Sequence, residues 1–367
     1  MKKALSLLLV LMMALALVAC ASTEPTEPAA ENETATEAAA EPAEETAEEP
    51  AAEAETAVKI GYISPGSDTW YLRAEEGAQW ACEKAGAEFV AVNSNRDSEQ
   101  EIANIEQLIN EGVDCIVILS WNEAGCVSCA QMCKEAGIGC VVFDACGVMF
   151  NHDVDITASV DFDWAGMGAI YADWMQANYP GEKYVFINGT MDSVVCQTVE
   201  TNLKAATEAL GSNECVDVRF GQYNPETAAN EAEDLVNSGL EFSVIGVINE
   251  DCAAAIITRL EDMGVADKYH VFAENGSETG IDLIKAGKLD FTISSSPGLE
   301  AAIAALVGVD AVKNGGDINR KVDCPIASAT IANVDDPYSV IPWAVDEEVW
   351  INIIQDSFPE YSYFFEA

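Results

Sequence analysis

The sequence predicts an α/β protein of two doubly wound parallel-sheet lobes, and three observations predict it. Short apolar, β-branched runs alternate with longer amphipathic segments along the whole chain after residue 57. The runs are continuously apolar, as parallel strands covered on both faces must be. Gly86, Gly112, Gly137, Gly211, Gly239, Gly264 and Gly287 close the amphipathic segments, where left-handed C-caps favour glycine.

The strand candidates are 58–63 (VKIGYI), 88–92 (EFVAV), 115–119 (CIVIL), 139–143 (GCVVF), 156–160 (ITASV) and 184–188 (YVFIN). They continue with 215–220 (CVDVRF), 243–248 (SVIGVI), 269–273 (YHVFA), 289–294 (LDFTIS) and 326–332 (IASATIA). Helical patterns fill 69–86, 98–112, 123–137, 164–178, 194–210, 225–239, 250–264, 277–287 and 298–314. So many strands exceed one open sheet, which favours two; a TIM barrel is the second architecture in order.

The N-terminus reads as an export signal. Lys2 and Lys3 precede an apolar run from Ala4 to Val18, too short for an ordinary membrane span. Leu17-Val18-Ala19-Cys20 resembles the bacterial lipobox, which makes 1–19 a lipoprotein signal peptide and Cys20 the lipid attachment site. Residues 21–57 hold twelve Glu, four Pro and no Lys or Arg. Such a stretch self-repels and buries nothing, so 20–57 is expected to be a disordered acidic tether on the outer face of the cell membrane.

The folded part keeps the acid excess, 51 Asp and Glu against 15 Lys and Arg. That charge repels nucleic acid and argues for a soluble extracytoplasmic domain. Eleven cysteines follow Cys20, an odd number that leaves at least one unpaired within the chain. Cys126, Cys129 and Cys133 fall on one helix face among Val127, Ala130 and Met132. Small buried packing thiols are the expectation, against a metal site or disulfides, and no cofactor is expected.

In open parallel sheets ligands sit beyond the carboxyl ends of the strands. The residues just past those ends are Ser64, Asp68, Trp70, Tyr71, Asn93, Asn95, Ser120, Trp121, Asn122, Asp144, Asp161, Asp163, Asp192, Tyr223, Asn249, Glu250, Asn275, Ser294 and Ser295. Aromatic faces with amides and carboxylates suit a polyhydroxylated ring, which stacks and exchanges hydrogen bonds. Asp, Asn and Ser also cap helices, and about half of these positions are expected to be caps alone.

Four segments carry a family resemblance: VKIGYISPGSDTWYLRAEEGAQWACEKAG, NSNRDSEQEIANIEQLINEGVDCIVIL, GIGCVVFDACG and HVFAENGSETGIDLIKAGKLDFTISSSP. Over residues 58–333 the chain resembles the type I periplasmic-binding-protein superfamily, close to the ribose- and galactose-type sugar-binding proteins. The resemblance implies sugar contacts at Asp68, Trp70, Tyr71, Asp144, Tyr223, Asn249 and Ser295. Three positions depart from it: Ala145 and Val199 stand where arginines are expected, and Asn275 where an aspartate is. Losing both forks weakens the case for a ribose-like ligand, and Trp121 is a candidate extra wall.

The resemblance also implies crossings near Asp161–Asp163, Ser295–Ser296 and Cys324–Ala327. The N-terminal lobe would then be 58–162 with 296–326, and the C-terminal lobe 163–295 with 327–367, closing on ligand by hinge motion. The aromatic tail after Asn333 is expected to pack on the second lobe.

Function is expected to be that of a monomeric, lipid-anchored solute-binding subunit of an ABC importer, with a membrane permease as partner and a small polar ligand, a sugar first. The alternative is a sensory protein presenting a sugar, polyol or nucleoside to a receptor or kinase without transport. An exported enzyme ranks last: no G-x-S-x-G, P-loop or H-E-x-x-H motif occurs, and His152 and His270 stand apart.

Overall fold

The computed structural model describes residues 57–366. The signal segment, Cys20 and the acidic stretch to residue 56 lie outside the described residues. No helix among those described is long and apolar enough to cross a membrane.

The first sheet forms from β1 (Lys59–Ser64), β2 (Glu88–Asn93), β3 (Cys115–Ile118), β4 (Gly139–Phe143) and β5 (Ala158–Phe162). Between the first four run α1 (Thr69–Ala85), α2 (Ser98–Asn110) and α3 (Glu123–Ala136). The chain then builds a second unit: α4 (Trp164–Asn178), β6 (Lys183–Asn188), α5 (Val194–Leu210), β7 (Glu214–Phe220), α6 (Pro225–Asn237), β8 (Val244–Val247), α7 (Glu250–Asp262), β9 (His270–Asn275), α8 (Glu278–Lys285) and β10 (Phe291–Ser294). It returns through α9 (Pro297–Asn314) and β11 (Arg320–Cys324), then adds β12 (Ala327–Ala329) and α10 (Glu347–Ser357).

The sheet orders are β11-β5-β4-β3-β1-β2 and β12-β10-β9-β8-β6-β7. Every pairing is parallel except the edge pair β10–β12. The two open sheets repeat one winding, with strand order reversing beside β1 in one and β6 in the other. This is the expected two-sheet fold, and the TIM-barrel alternative falls because neither sheet closes.

Both faces of each sheet are covered, which explains the unbroken apolar strands. In β1, Ile60 and Tyr62 enter the core beneath α1 and α9, while Ile63 enters the one beneath α2 and α3. In β6, Tyr184 and Phe186 share a cluster with Tyr171 of α4, and Val185 and Ile187 one with α6 and α7. Helices α1 and α9 approach at a glycine pair: a Cβ on Gly77 would lie 1.9 Å from the Gly298 carbonyl oxygen. Only glycine permits that spacing.

Three features differ from the sequence reading. β5 runs two residues further than 156–160, so Asp161 lies within a strand and faces the β4 loop. The segment at 326–332 is only the short β12, and a separate edge strand, β11, precedes it with half-exposed, alternating residues.

The third difference is the tail: Val334 and Val340 pack on the second unit as expected, but from Glu347 onward the chain docks on the first sheet's unit instead. Trp350 is fully buried and meets Trp80 of α1 edge-on at 5.4 Å. Tyr361 is buried too, and its hydroxyl accepts from Arg320 of β11 at 2.8 Å. Glu347 pairs with Lys84 of α1 at 2.8 Å. The chain therefore crosses between the units a fourth time, between residues 343 and 347. The reason is apolar: Trp80 and α9 leave a hydrophobic surface that only the tail covers.

Candidate functional site

Each candidate is placed by the turn that follows its strand. After β1, Asp68 caps α1, accepting from the Tyr71 backbone N–H at 3.4 Å, and its other oxygen pairs with Arg96 at 3.5 Å. Asn95 and Arg96 both adopt left-handed backbone, with φ of 51° and 62°. That turn lays the Arg96 guanidinium 4.3 Å from the Trp121 ring and 5.8 Å from the Tyr71 ring. Asp68, Tyr71 and Trp121 thus gather around one arginine at the mouth of the first unit.

After β4, Asp144 takes a φ of 53° and Cys146 one of 52°. This loop is held by Asp161, whose carboxylate accepts from the Ala145 and Gly147 N–H groups at 2.7 and 3.1 Å and from the Ser159 hydroxyl at 2.6 Å. Asp161 is therefore satisfied and structural. Asp144 is not: its Oδ1 is buried without a hydrogen-bond partner.

In the second unit, Tyr223 sits at φ 51° with its ring against Gly189 and its hydroxyl 3.0 Å from the Cys196 sulfur. Asn275 has φ 125°, and its carbonyl accepts from the Ser295 N–H at 3.1 Å and the Trp343 indole N–H at 3.0 Å. Trp343 in turn meets Trp70 edge-on at 5.3 Å. Ser295 donates to Glu274, which lies at the end of β9.

Asn249 stands apart. It caps α7 through a 2.9 Å bond from the Cys252 N–H, and among the described residues no hydrogen bond or ring contact links it to the other candidates. The neighbouring Glu250 is fully buried but accepts from Gly276, Ser277 and Thr292, so it too is structural.

The groups nearest the junction between the sheets feel one another's charge. Burial, then Asp161, pushes the Asp144 carboxyl up to about 8. Burial raises both Tyr71 and Tyr223, and Asp144 adds to each. The Asp144 charge is thus felt by a tyrosine of each unit. Glu300, four residues into α9, has both carboxyl oxygens buried without partners; burial, then Asp144, Asp161 and Glu274, raises it well above the usual range.

Comparison with known proteins decides the family. The family model described as "Periplasmic binding protein domain" matches residues 60–317. The chain belongs to the periplasmic binding protein family. It is 24% identical over 233 residues to the D-xylose-binding periplasmic protein of Escherichia coli K12, covering 62% of this chain and 69% of that one. It is 19% identical over 272 residues to the ribose import binding protein RbsB of Haemophilus influenzae, covering 74% and 90%. An ABC transporter solute-binding protein of Bacillus halodurans C-125 with bound myo-inositol superposes with a TM-score of 0.68 at 21% identity, covering 77% of this chain and 97% of that one. At that identity the superposition speaks for the shared fold.

In this periplasmic binding protein the sequence reading missed four residues at the junction: Arg96, Glu274, Glu300 and Trp343. Glu300 was readable as a lone acid within an apolar helix, LEAAIAALVGV. Trp343 lies beyond the family match and carries no local signal. The α3 thiols are where packing predicts them: Cys126, Cys129 and Cys133 are buried, with Cys140 of β4 4.0 Å from Cys129.

The raised carboxyls fix the sign of the pH dependence. Unfolded, these groups titrate near about 4; folded, Asp144 titrates at about 8 and Glu250 at about 7, with burial the main cause. The folded state binds more protons across that window, so stability is fullest at its acid end and falls as pH rises toward 8. Exposed acids held down by bases, Asp155 by Lys134 and Glu347 by Lys84, act oppositely, but only as they protonate at lower pH. The unliganded protein should melt highest near about pH 5 and several degrees lower near about pH 8. Calorimetry across this range checks it; a melting temperature that climbs with pH would contradict the burial of these acids.

Proposed function

We propose that this chain is the extracytoplasmic, lipid-anchored solute-binding subunit of an ABC importer, closing two lobes on a small polar solute of the sugar or polyol class. The observation that carries this reading is Asp144 after β4, whose Oδ1 is buried without a hydrogen-bond partner and whose charge acts on Tyr71 of one unit and Tyr223 of the other. A polyol hydroxyl supplies the missing donor while the aromatic faces take its CH surface. Relatives named for xylose and ribose, and a neighbour holding myo-inositol, support the class.

In this reading the contacts are Asp68, Trp70, Tyr71, Trp121, Asp144, Tyr223, Asn275 and Ser295, with Trp343 and Arg96 added. Asn249 serves chiefly as a cap. The hinge is the set of crossings between the sheets, and the closed form presents both lobes to a membrane permease. A thermal-shift panel of D-xylose, D-ribose, D-allose and myo-inositol tests it, since only a ligand of the folded state raises the melting temperature. No shift with any sugar or polyol would remove the class.

Anchoring rests on Leu17-Val18-Ala19-Cys20 and the acidic stretch behind it. Cys20→Ala is expected to move the protein from the membrane fraction to the soluble one with unchanged ligand affinity. Retention of the variant in washed membranes would defeat the anchor.

A further inference from the structure

Four carboxyls act on one another where the two units join: buried Asp161 in β5, Glu274 at the end of β9 and Glu300 in α9, and half-buried Asp144 after β4, whose Oδ1 is itself enclosed. Asp161 is consumed by the loop it holds, and Glu274 accepts from Ser295. Glu300 and Asp144 remain. Both oxygens of Glu300 and Oδ1 of Asp144 are buried without a well-formed hydrogen bond among the described residues. The donors beside them are the Asp144 backbone N–H for Glu300 and the Trp164 indole N–H for Asp144, neutral groups that leave the charge uncompensated. The charges acting most on Glu300 are other carboxyls, and no base takes part. Val199 and Ala145 leave the neighbouring positions without a guanidinium, and Arg96 is spent at the mouth on Asp68.

A buried acid pair without a counter-ion costs stability unless something arrives to complete it. We propose that the solute carries an ammonium group, as an amino sugar or aminated polyol does, and that Glu300, Asp144 and Glu274 supply its counter-charge. This deepens the solute-binding reading above and rests on it. A bare divalent ion fits poorly. Among the described residues, the only three side chains whose ligand atoms lie within 4.8 Å of one another are the thiols of Cys129, Cys133 and Cys140. The ring faces of Trp70, Tyr71, Tyr223 and Trp343 suit an ammonium as well as sugar CH groups, and the acidic surface concentrates cations near the mouth.

The test is titration calorimetry on the full chain at about pH 6.5, where the sugar amines are already protonated. D-Glucosamine and D-galactosamine are compared with D-glucose and D-galactose, and putrescine serves as an ammonium without a sugar ring. At least one amine should bind roughly tenfold or more tighter than its neutral parent, the yield of one charge-assisted hydrogen bond. Binding should also release protons, because a bound cation drives raised carboxyls to ionise. Glu300→Gln should erase the amine preference, costing the amine at least about tenfold more affinity than its neutral parent. Glu274→Gln provides the same comparison should Glu300→Gln fail to fold.

Neutral sugars binding as tightly as amines would overturn the ammonium and leave the sugar reading standing. So would a preference that survives both substitutions. Binding of putrescine alone would uphold the ammonium and remove the sugar ring. Silence from every compound would overturn both.

Discussion

Trp350→Ala is expected to destabilise the protein by about 3–5 kcal/mol, the range for deleting a fully buried large aromatic. The indole is wholly enclosed. It meets Trp80 edge-on at 5.4 Å, donates to the Pro342 carbonyl at 3.0 Å, and lies against the bare backbone of Gly298. Each contact belongs to a different part of the chain: α1, the loop before the fourth crossing and α9. No single side chain can relax into the space, so the cavity stays open and the Pro342 carbonyl loses one of its two donors, keeping the Ser296 hydroxyl at 2.7 Å. Trp350→Phe should recover more than half of the loss by keeping the ring contact. The readout is the urea midpoint at unchanged slope. A loss below about 1 kcal/mol would mean that the tail is not seated on the first unit, since a solvated surface aromatic costs no more than that.

That result bears on how much of the molecule the sequence could disclose. Strands β1 to β4 and β6 to β10 were legible because burial on both faces makes parallel strands uninterrupted apolar runs. β5 was misplaced by two residues at its end, because hydropathy halts at Asp161 while the backbone continues its ladder beside β11. A carboxylate that accepts three hydrogen bonds is at home in a strand, but only the loop it binds reveals this. β11 escaped because an edge strand reading Arg-Lys-Val-Asp-Cys shows one buried face and looks like a linker. The tail's helical stripe, Val349, Trp350 and Ile354, was readable, but its docking site was not. The contact partner Trp80 lies 267 residues before Glu347, a separation over which no local pattern carries information.

The candidate site divides along the same line. Residues whose side chains are set by their own turn are the ones a sequence can propose: Asp68, Trp70, Tyr71, Asp144 and Tyr223. Residues that matter through a neighbour from another element were missed. Glu274 meets Ser295, Trp343 bridges Trp70 and Asn275, and Glu300 reaches the junction from a helix that belongs to the first unit. Asn249 shows the converse. Its position after β8 satisfies both a ligand contact and a cap, and the 2.9 Å bond to the Cys252 N–H shows the second role occupied.

Asp144→Asn is expected to weaken ligand binding by about 1.5–3 kcal/mol, the worth of a hydrogen bond to a charged group. Asparagine is the informative substitution because Asp144 holds a φ of 53°, a left-handed backbone that Asn tolerates and Ala resists. The loop therefore keeps its shape, and Asp161 keeps its bonds to Ala145 and Gly147. What changes is charge. The carboxyl that burial pushes up to about 8 becomes an amide that cannot ionise. Near about pH 8 the empty variant should be at least as stable as the parent, since a buried acid without a partner is a liability there and its removal relieves Glu300 as well. Affinity and unliganded stability thus move in opposite directions, which a folding defect cannot produce. Calorimetric affinity for whichever solute the panel identifies, with the melting temperature of the empty protein, gives both quantities. Unchanged affinity would take Asp144 out of the site; a fall in stability matching the fall in affinity would make it a structural acid of the β4 loop.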